Sequence, residues 1–291
     1  MKIKVTGGSK LQRSVYPIAN KNSIVAALPA SILVKGKTTY KNVPKSTDVD
    51  KILGILRELG AIIDDSDYTN LTIDCTNITG WEITSPTSRK FRGSIMFAGP
   101  LLARFGKARI PMPGGCVLGK RSISAHIDIF SKCGVTTTIE NDLVLFTADK
   151  NISDVRAWQQ EASVTATENF AMFAAGTNAR FELIDAACEP HVSDVLTFLH
   201  AMGAKISGIG SNRITIEGNS NLHEAVFTPG PDTIDIVGYI VAAALTKGNI
   251  TIVNGNVPDI VDGVIQNLSK FNIDIKKVGQ NLVIDGSQPL K

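Results

Sequence analysis

The stretch that decides the fold reads TDVDKILGILRELG and runs from Thr47 to Gly60. Its apolar residues recur at helical spacing, which predicts an amphipathic helix with one buried face. The apolar stripe consists of Val49, Ile52, Leu53, Leu56 and Leu59. Thr47 and Asp50 have a capping-box spacing, so we expect Thr47 to be the N-cap residue of this helix. Gly60 follows directly, and glycine readily adopts the left-handed conformation at a helix C-terminus.

The same plan recurs along the chain with a period near 70 residues. Two further stripes read Val192, Val195, Leu196, Leu199, Met202 and Val261, Val264, Ile265, Leu268, Phe271. The residues that close these helices are spaced by 74, 69 and 69, and they are Gly60, Gly134, Gly203 and Asn272. A second set, spaced by 70, 70 and 72, comprises Gly36, Gly106, Gly176 and Gly248. Four repeats of helix, strand, helix, strand, strand therefore predict an α/β (α+β) protein whose helices are buried together.

The second repeat departs from this plan. His126 occupies a stripe position that is Ile52, Val195 or Val264 in the other repeats. The segment between the first glycine and the stripe spans 17 residues here, against 13 in the first and fourth repeats. Local departures from a consistent pattern are typical of functional sites.

The longer segment contains the sequence PGGCVLGKR, from Pro113 to Arg121. Its glycines permit close approach of the backbone to a ligand, and its cations favour anions. A thiol among cations tends towards the reactive thiolate, so Cys116 is a candidate catalytic residue. The competing interpretation is a turn with a buried cysteine.

Other helices in the repeats are predicted to begin near Lys21, Arg92 and Ser163. Helix N-termini present free N–H groups and positive potential, which favour anions. Lys21 and Arg92 add cations where they disfavour the helix, which indicates an anionic ligand. The competing interpretation is that both side chains are simply solvated.

Composition excludes several classes of protein. The net charge of +3 is too small, and the cations too scattered, to indicate nucleic-acid binding. No apolar run has the length of a membrane span, and no signal peptide is evident. The four cysteines lack metal-site spacing, so we expect a reduced cytoplasmic protein with no metal.

Several ordered motifs together carry a family resemblance. They are Asn20-Lys21-Asn22, Arg92-Gly93-Ser94, Gly99 to Gly106, Pro113 to Arg121, Ser163 to Thr167, Glu189-Pro190 and Met202 to Gly208. In this order they resemble the UDP-N-acetylglucosamine 1-carboxyvinyltransferases, which are enolpyruvyl transferases of peptidoglycan synthesis. The resemblance covers the whole chain.

The resemblance implies a two-domain fold, an inside-out α/β barrel with three repeat units in each domain. By that resemblance, residues 20–229 form the complete three-unit domain. Residues 1–19 with residues 230–291 form a partial second domain, with one unit of three. We expect the incomplete domain to expose its helices, Ile234–Leu245 and Val261–Phe271, and to associate through them.

The resemblance also implies a reaction. The 3-hydroxyl of UDP-N-acetylglucosamine attacks C2 of phosphoenolpyruvate, C3 takes a proton, and phosphate then leaves. No cofactor is implied, and the implied partners are these two small molecules. The residues implied as catalytic are Cys116, Lys21 and Arg121. Those implied to bind substrate are Lys21, Asn22, Arg92, Arg121, His126, Ser163, Val164 and Thr165.

Some positions depart from the family pattern. Glu161 stands where a lysine is common, next to the segment implied to hold the diphosphate. Ser122 and Ser124 replace a common proline and aspartate, and Thr165 stands where many members have glycine. No residue here corresponds to the family's aspartate base or its further arginines.

Three alternatives remain open. The first is the shikimate-pathway enolpyruvyl transferase, which shares the architecture but is not known for a Pro-Gly-Gly-Cys segment. The second is a non-catalytic nucleotide-sugar-binding protein, and the third is half of a split enzyme. For His126, a packed core histidine is as well supported as a residue beside the uridine.

Overall fold

The chain divides into two units in the computed structural model, which describes residues 3–85, 88–113, 122–258 and 260–291. Unit 1 combines Met1–Asn20 with Pro231–Lys291, and unit 2 is Lys21–Gly230. None of the helices in the described ranges is long and apolar enough to cross a membrane.

The secondary structure follows the repeated plan. The helices are α1 (Lys21–Ala30), α2 (Thr47–Glu58), α3 (Ala98–Phe105), α4 (Ser124–Lys132), α5 (Val164–Ala175), α6 (Pro190–Ala201), α7 (Thr233–Leu245) and α8 (Ile260–Leu268). The first strands are β1 (Gln12–Val15), β2 (Lys37–Lys41), β3 (Ile62–Asp64), β4 (Asn70–Asp74), β5 (Lys107–Pro111), β6 (Val135–Glu140), β7 (Leu143–Ala148) and β8 (Val155–Trp158). The later strands are β9 (Arg180–Ile184), β10 (Lys205–Ser207), β11 (Arg213–Glu217), β12 (Val226–Phe227), β13 (Asn249–Ile252), β14 (Asp274–Val278) and β15 (Asn281–Asp285).

Every repeat folds its three strands in the same order. The first strand pairs with the third, and the third with the second, all antiparallel, as β2-β4-β3, β5-β7-β6, β9-β11-β10 and β13-β15-β14. The internal repeat read from the sequence is therefore a repeat of topology as well.

Parallel pairings link the three repeats of unit 2 into a ring. The strand β8, from the second repeat, pairs with β9 of the third, and a parallel bridge joins Glu82 to Arg109 between the first and second. The strand β12, at the end of the third repeat, returns to pair with β2 of the first. Three repeats thus close on themselves.

The helices α1, α3 and α5 lie in the interior of unit 2. Every residue of α5 from Ala166 to Ala175 is buried, whereas the strands alternate buried and more exposed residues. The sheets therefore form the outer layer of this unit around a helical interior.

The stripe residues of the first and third repeats are at most 4% exposed, as the helical spacing predicted. The closing residues adopt positive φ angles, namely +102° at Gly60, +75° at Gly134, +112° at Gly203 and +64° at Asn272. The capping-box prediction was wrong by one position. Ser46 is the N-cap, and its hydroxyl accepts a hydrogen bond from the backbone N–H of Val49 at 3.3 Å.

Unit 1 is a four-stranded sheet, in the order β1-β13-β15-β14, with α7 and α8 packed against it. Its core is small and includes Ile236, Ile240 and Val261. The remaining stripe residues of the fourth repeat are only partly buried, and Phe271 is 53% exposed.

Candidate active site

The three interior helices of unit 2 meet at their C-terminal ends. A Cβ atom added at Gly176, after α5, would lie 2.7 Å from the Ala103 Cβ atom and 2.9 Å from the Leu33 Cδ2 atom. Ala103 is near the end of α3, and Leu33 ends the 3-10 turn Ser31–Leu33 that continues α1. The three helices therefore run towards a shared junction, and α3 packs along α5.

The helix starts consequently lie together at the other end. Lys21 and Val164 each precede the junction by twelve residues, which corresponds to about 18 Å at 1.5 Å per residue. Arg92 begins the 3-10 segment Arg92–Phe97 that leads into α3 and packs against α1 and α5. The free N–H groups of the helix starts give this end positive potential, to which Lys21 and Arg92 add charge.

Two carboxylates hold the first turn of α1. The Lys21 ammonium donates to the Asp48 carboxylate at 2.9 Å, with 42% and 32% of the two side chains exposed. The Ser23 hydroxyl donates to Asp194 at 2.7 Å, and the backbone N–H of Gly230 donates to the same oxygen at 3.2 Å. Asn22, between these two anchored residues, is exposed.

Arg92 is held by the segment that precedes α4. Its Nη2 atom donates to the Ser122 carbonyl at 3.0 Å, and the Ser122 hydroxyl accepts from the backbone N–H of Ser124 at 2.9 Å. Ser122, one of the departures from the family pattern, therefore contacts Arg92 through its carbonyl and the start of α4 through its hydroxyl.

Hydrogen bonds from buried polar side chains hold the start of α5. The Gln159 amide donates to the Ser163 carbonyl at 3.0 Å, and the Thr167 hydroxyl donates to the Gln159 amide oxygen at 3.0 Å. The Ser163 side chain makes no capping bond, and Val164 packs against the core. The Glu161 carbonyl accepts from the Ser163 backbone N–H at 2.6 Å, and the Glu161 side chain is exposed.

His126 lies inside this end of unit 2, at 1% exposure. Its Nε2 atom is 3.1 Å from the Thr165 hydroxyl, and its Nδ1 atom is 3.1 Å from the Asn169 amide nitrogen. Burial, with a smaller contribution from the Arg92 charge, lowers the pKa of His126 to about 3. The imidazole is therefore neutral near pH 7.

The structure thus brings together Arg92, His126 and Thr165, and it places Lys21 and Ser163 at the same end of the helices. Cys116 and Arg121 lie outside the described residues. Sequence reasoning missed Gln159, Thr167 and Asn169, which brace the site. A signal for two of them was present, because Thr167 and Asn169 are polar residues in the helix that continues as the apolar run from Phe170 to Ala175.

Solved structures share this architecture. The enolpyruvyl transferase NikO from Streptomyces tendae matches with a TM-score of 0.82 at 21% identity, over 98% of this chain and 68% of that one. An EPSP synthase from Acinetobacter baumannii matches with a TM-score of 0.70 at 18% identity, over 98% of this chain and 67% of that one. The fold is therefore that of the enolpyruvyl transferases.

Sequence comparison gives the family. Residues 5–291 match the family model of EPSP synthase (3-phosphoshikimate 1-carboxyvinyltransferase). UDP-N-acetylglucosamine 1-carboxyvinyltransferase from Dichelobacter nodosus is 34% identical over 99% of this chain and 68% of its own length. The enzyme of the same name from Clostridium botulinum is 37% identical over 97% of this chain and 68% of its own length. The chain belongs to the EPSP synthase family, in the branch of the UDP-N-acetylglucosamine 1-carboxyvinyltransferases.

Proposed function

We propose that this protein transfers the enolpyruvyl group of phosphoenolpyruvate to the 3-hydroxyl of UDP-N-acetylglucosamine and releases phosphate. The observation that carries the proposal is the meeting of the interior helix starts, with Lys21 and Arg92 beside them. Both substrates are phosphorylated anions, and such an end of a helix bundle favours anions. The names of the curated relatives support the choice of nucleotide sugar.

The proposed reaction makes and breaks defined bonds. The sugar 3-hydroxyl loses its proton as its oxygen forms a bond to C2 of phosphoenolpyruvate, and C3 accepts a proton. The resulting tetrahedral intermediate loses phosphate by cleavage of its C2–O bond, and C3 gives up a proton to restore the double bond. Fixed cations beside the phosphate and carboxylate stabilise the charge that develops during these steps.

Each site residue has a proposed role. Lys21, Arg92 and Arg121 hold the phosphate and carboxylate of phosphoenolpyruvate, and Asn22 contacts the sugar. The start of α5, from Ser163 to Thr165, holds the diphosphate, and the buried His126 contacts Thr165. Cys116 takes part in proton transfer or product release. It corresponds to the cysteine that fosfomycin alkylates in this family, so we expect fosfomycin to react with it.

Phosphate release tests the proposal. We expect phosphate to form only when phosphoenolpyruvate and UDP-N-acetylglucosamine are both present, and we expect the Cys116→Ala variant to lose this activity. Lys35, at the opposite end of the interior helices, supplies a control, since Lys35→Ala leaves the anion-binding end intact. Binding of the nucleotide sugar without phosphate release would favour the non-catalytic binding protein instead.

We further propose a role in peptidoglycan synthesis in the cytoplasm. Cys75, Cys133 and Cys188 carry free thiols, in keeping with a reducing compartment. Cys75 and Cys133 are buried, and burial raises their pKa values to about 11 and about 12, so these two thiols are unreactive.

A further inference from the structure

Asn169 has an unambiguous orientation in the interior of unit 2. Its amide oxygen accepts from the backbone N–H of Gly99 at 2.8 Å. Its amide nitrogen donates to the Ile95 carbonyl at 2.9 Å. Because an N–H group faces one atom and a carbonyl the other, exchanging oxygen and nitrogen would break both bonds. The nitrogen of Asn169 therefore faces His126.

This orientation decides where the proton of His126 lies. An amide nitrogen only donates, so the Nδ1 atom of His126, at 3.1 Å, accepts and carries no proton. A neutral imidazole then has its proton on Nε2, which lies 3.1 Å from the Thr165 hydroxyl oxygen. A charged imidazolium would place an N–H at Nδ1 against the Asn169 amide hydrogens.

The Thr165 oxygen therefore accepts from Nε2, which leaves the Thr165 hydroxyl proton for another acceptor. Among the residues that the structure describes, His126 is the partner of this hydroxyl. Thr165 is in the first turn of α5, where backbone N–H groups are also free to donate.

We infer that Asn169 is a positioning residue that fixes His126 as an Nε2–H donor, so that the Thr165 hydroxyl donates its proton to a phosphate oxygen of the nucleotide sugar. The inference rests on the proposed function for the identity of the ligand. The tautomer of His126 does not depend on it.

The arrangement supplies an additional neutral donor without an additional cation. His126 stays uncharged behind Thr165, and the positive charge of the site stays on Lys21 and Arg92. A glycine at position 165 would offer only its backbone N–H, so Thr165 adds a directed hydrogen bond that this chain can use in recognising the diphosphate.

The first test is the tautomer, measured by ¹⁵N–¹H NMR of the ring nitrogens in the ligand-free protein. The chain has four histidines, and the His126 signal is identified by its loss in His126→Gln. We expect a neutral Nε2–H ring at pH 7. An Nδ1–H tautomer, or a charged ring at pH 7, would overturn the inference whatever the ligand is.

The second test is a double-mutant cycle on the affinity for UDP-N-acetylglucosamine, measured by calorimetry. We expect Thr165→Val to weaken binding about tenfold, as for one lost hydrogen bond to a charged group. Thr165→Ser, which keeps the hydroxyl, should restore most of the affinity. Thr177→Val makes the same change beyond the other end of α5 and is the control.

The cycle separates positioning from a merely structural role. Asn169→Ala should weaken binding in the wild-type background but add nothing in the Thr165→Val background. Equal losses in both backgrounds, or full affinity in Thr165→Val, would overturn the inference. If the wild type did not bind the nucleotide sugar, the proposed function and the role of Thr165 would both fail, while the NMR result would still decide the tautomer.

Discussion

His126 is an ionisable side chain that folding holds in its neutral form. Its pKa falls to about 3 on burial, below the ordinary histidine value of about 6.5. The unfolded chain therefore binds a proton in this interval that the folded chain does not. The contribution of the neutral His126 to the free energy of unfolding is therefore fully present above about pH 6.5, and it is lost as the pH falls towards 3.

We expect this loss to be visible in urea unfolding at pH 7.5 and pH 5. The wild type should lose about 2 kcal/mol more of its free energy of unfolding between these pH values than His126→Gln, because glutamine does not titrate. Equal losses in the two proteins would show that His126 titrates normally in the folded state.

Glu168 gives the opposite pH dependence. It is 2% exposed on α5, and its Oε1 atom has no hydrogen-bond partner among the residues that the structure describes. Burial, with a smaller contribution from Glu189, raises its pKa well above the ordinary value. The folded chain keeps a proton that the unfolded chain releases. This contribution to stability is present below about pH 4.5 and is lost as the pH rises through the folded pKa.

Glu168→Gln should remove this loss of stability at alkaline pH, since the amide is neutral at every pH. We expect the free energy of unfolding of the variant, relative to the wild type, to be higher at pH 9 than at pH 5. Chemical denaturation at the two pH values measures it. A constant difference between the two proteins would contradict the assignment of a protonated, buried Glu168.

At the scale of the elements, the interior helices depend on a close approach at Gly176. A Cβ atom there would come within 2.7 Å of Ala103 and 2.9 Å of Leu33, so Gly176→Ala should separate the helices and destabilise the protein by about 1–3 kcal/mol. In Gly54→Ala, within α2, the added Cβ meets no atom within 4 Å among the described residues outside its own stretch of helix backbone.

The Gly54→Ala control should therefore stabilise the protein by up to about 1 kcal/mol, because alanine is the better helix former. Thermal unfolding of the two variants measures both effects. The same sign in both would argue against tight packing of α1, α3 and α5 at their C-terminal ends.

The secondary-structure elements also show which features can be predicted from the sequence alone. The apolar spacing of Val49, Ile52 and Leu53 identified α2 and its buried face, because helical periodicity is a local property. The N-cap at Ser46 was missed by one residue, since several neighbouring polar residues could begin this helix. The sequence singled out Gly176 only because it recurs with the period of about 70 residues. A glycine is needed there because Ala103 and Leu33, which are distant in sequence, pack closely against it.

The candidate site was also predictable only in part. The helical segments that begin at or next to Lys21, Arg92 and Ser163 were predicted correctly, because helix starts can be read from the sequence. The binding roles of these residues stay a prediction. The bracing by Gln159 and Asn169 was not found, because it depends on which side chains meet across α3, α4 and α5. His126 stood out as a departure from the repeat, but its burial and its partners required the structure.

At the scale of the whole molecule, the chain spans about two thirds of the length of the curated relatives described above. In unit 1, Ile234 is 75% exposed and Leu245 is 68% exposed. They lie eleven residues apart on α7, and residues at this spacing share one face of a helix. An exposed apolar face of this kind favours association.

We expect Ile234→Lys with Leu245→Lys to reduce the binding of a hydrophobic dye and the fraction of associated protein in size-exclusion chromatography. Ile139→Lys, at a 50% exposed position on β6 of unit 2, is the control. Unchanged dye binding and a monomeric wild type would contradict the prediction.

We propose that the anion-binding end of unit 2 serves enolpyruvyl transfer to a nucleotide sugar. The most direct measurement is mass spectrometry of the nucleotide sugar after incubation of this protein with UDP-N-acetylglucosamine and phosphoenolpyruvate. We expect a product heavier by one enolpyruvyl group, formed by the wild type and not by Lys21→Met. Unmodified UDP-N-acetylglucosamine, recovered after its binding has been demonstrated, would contradict the claim.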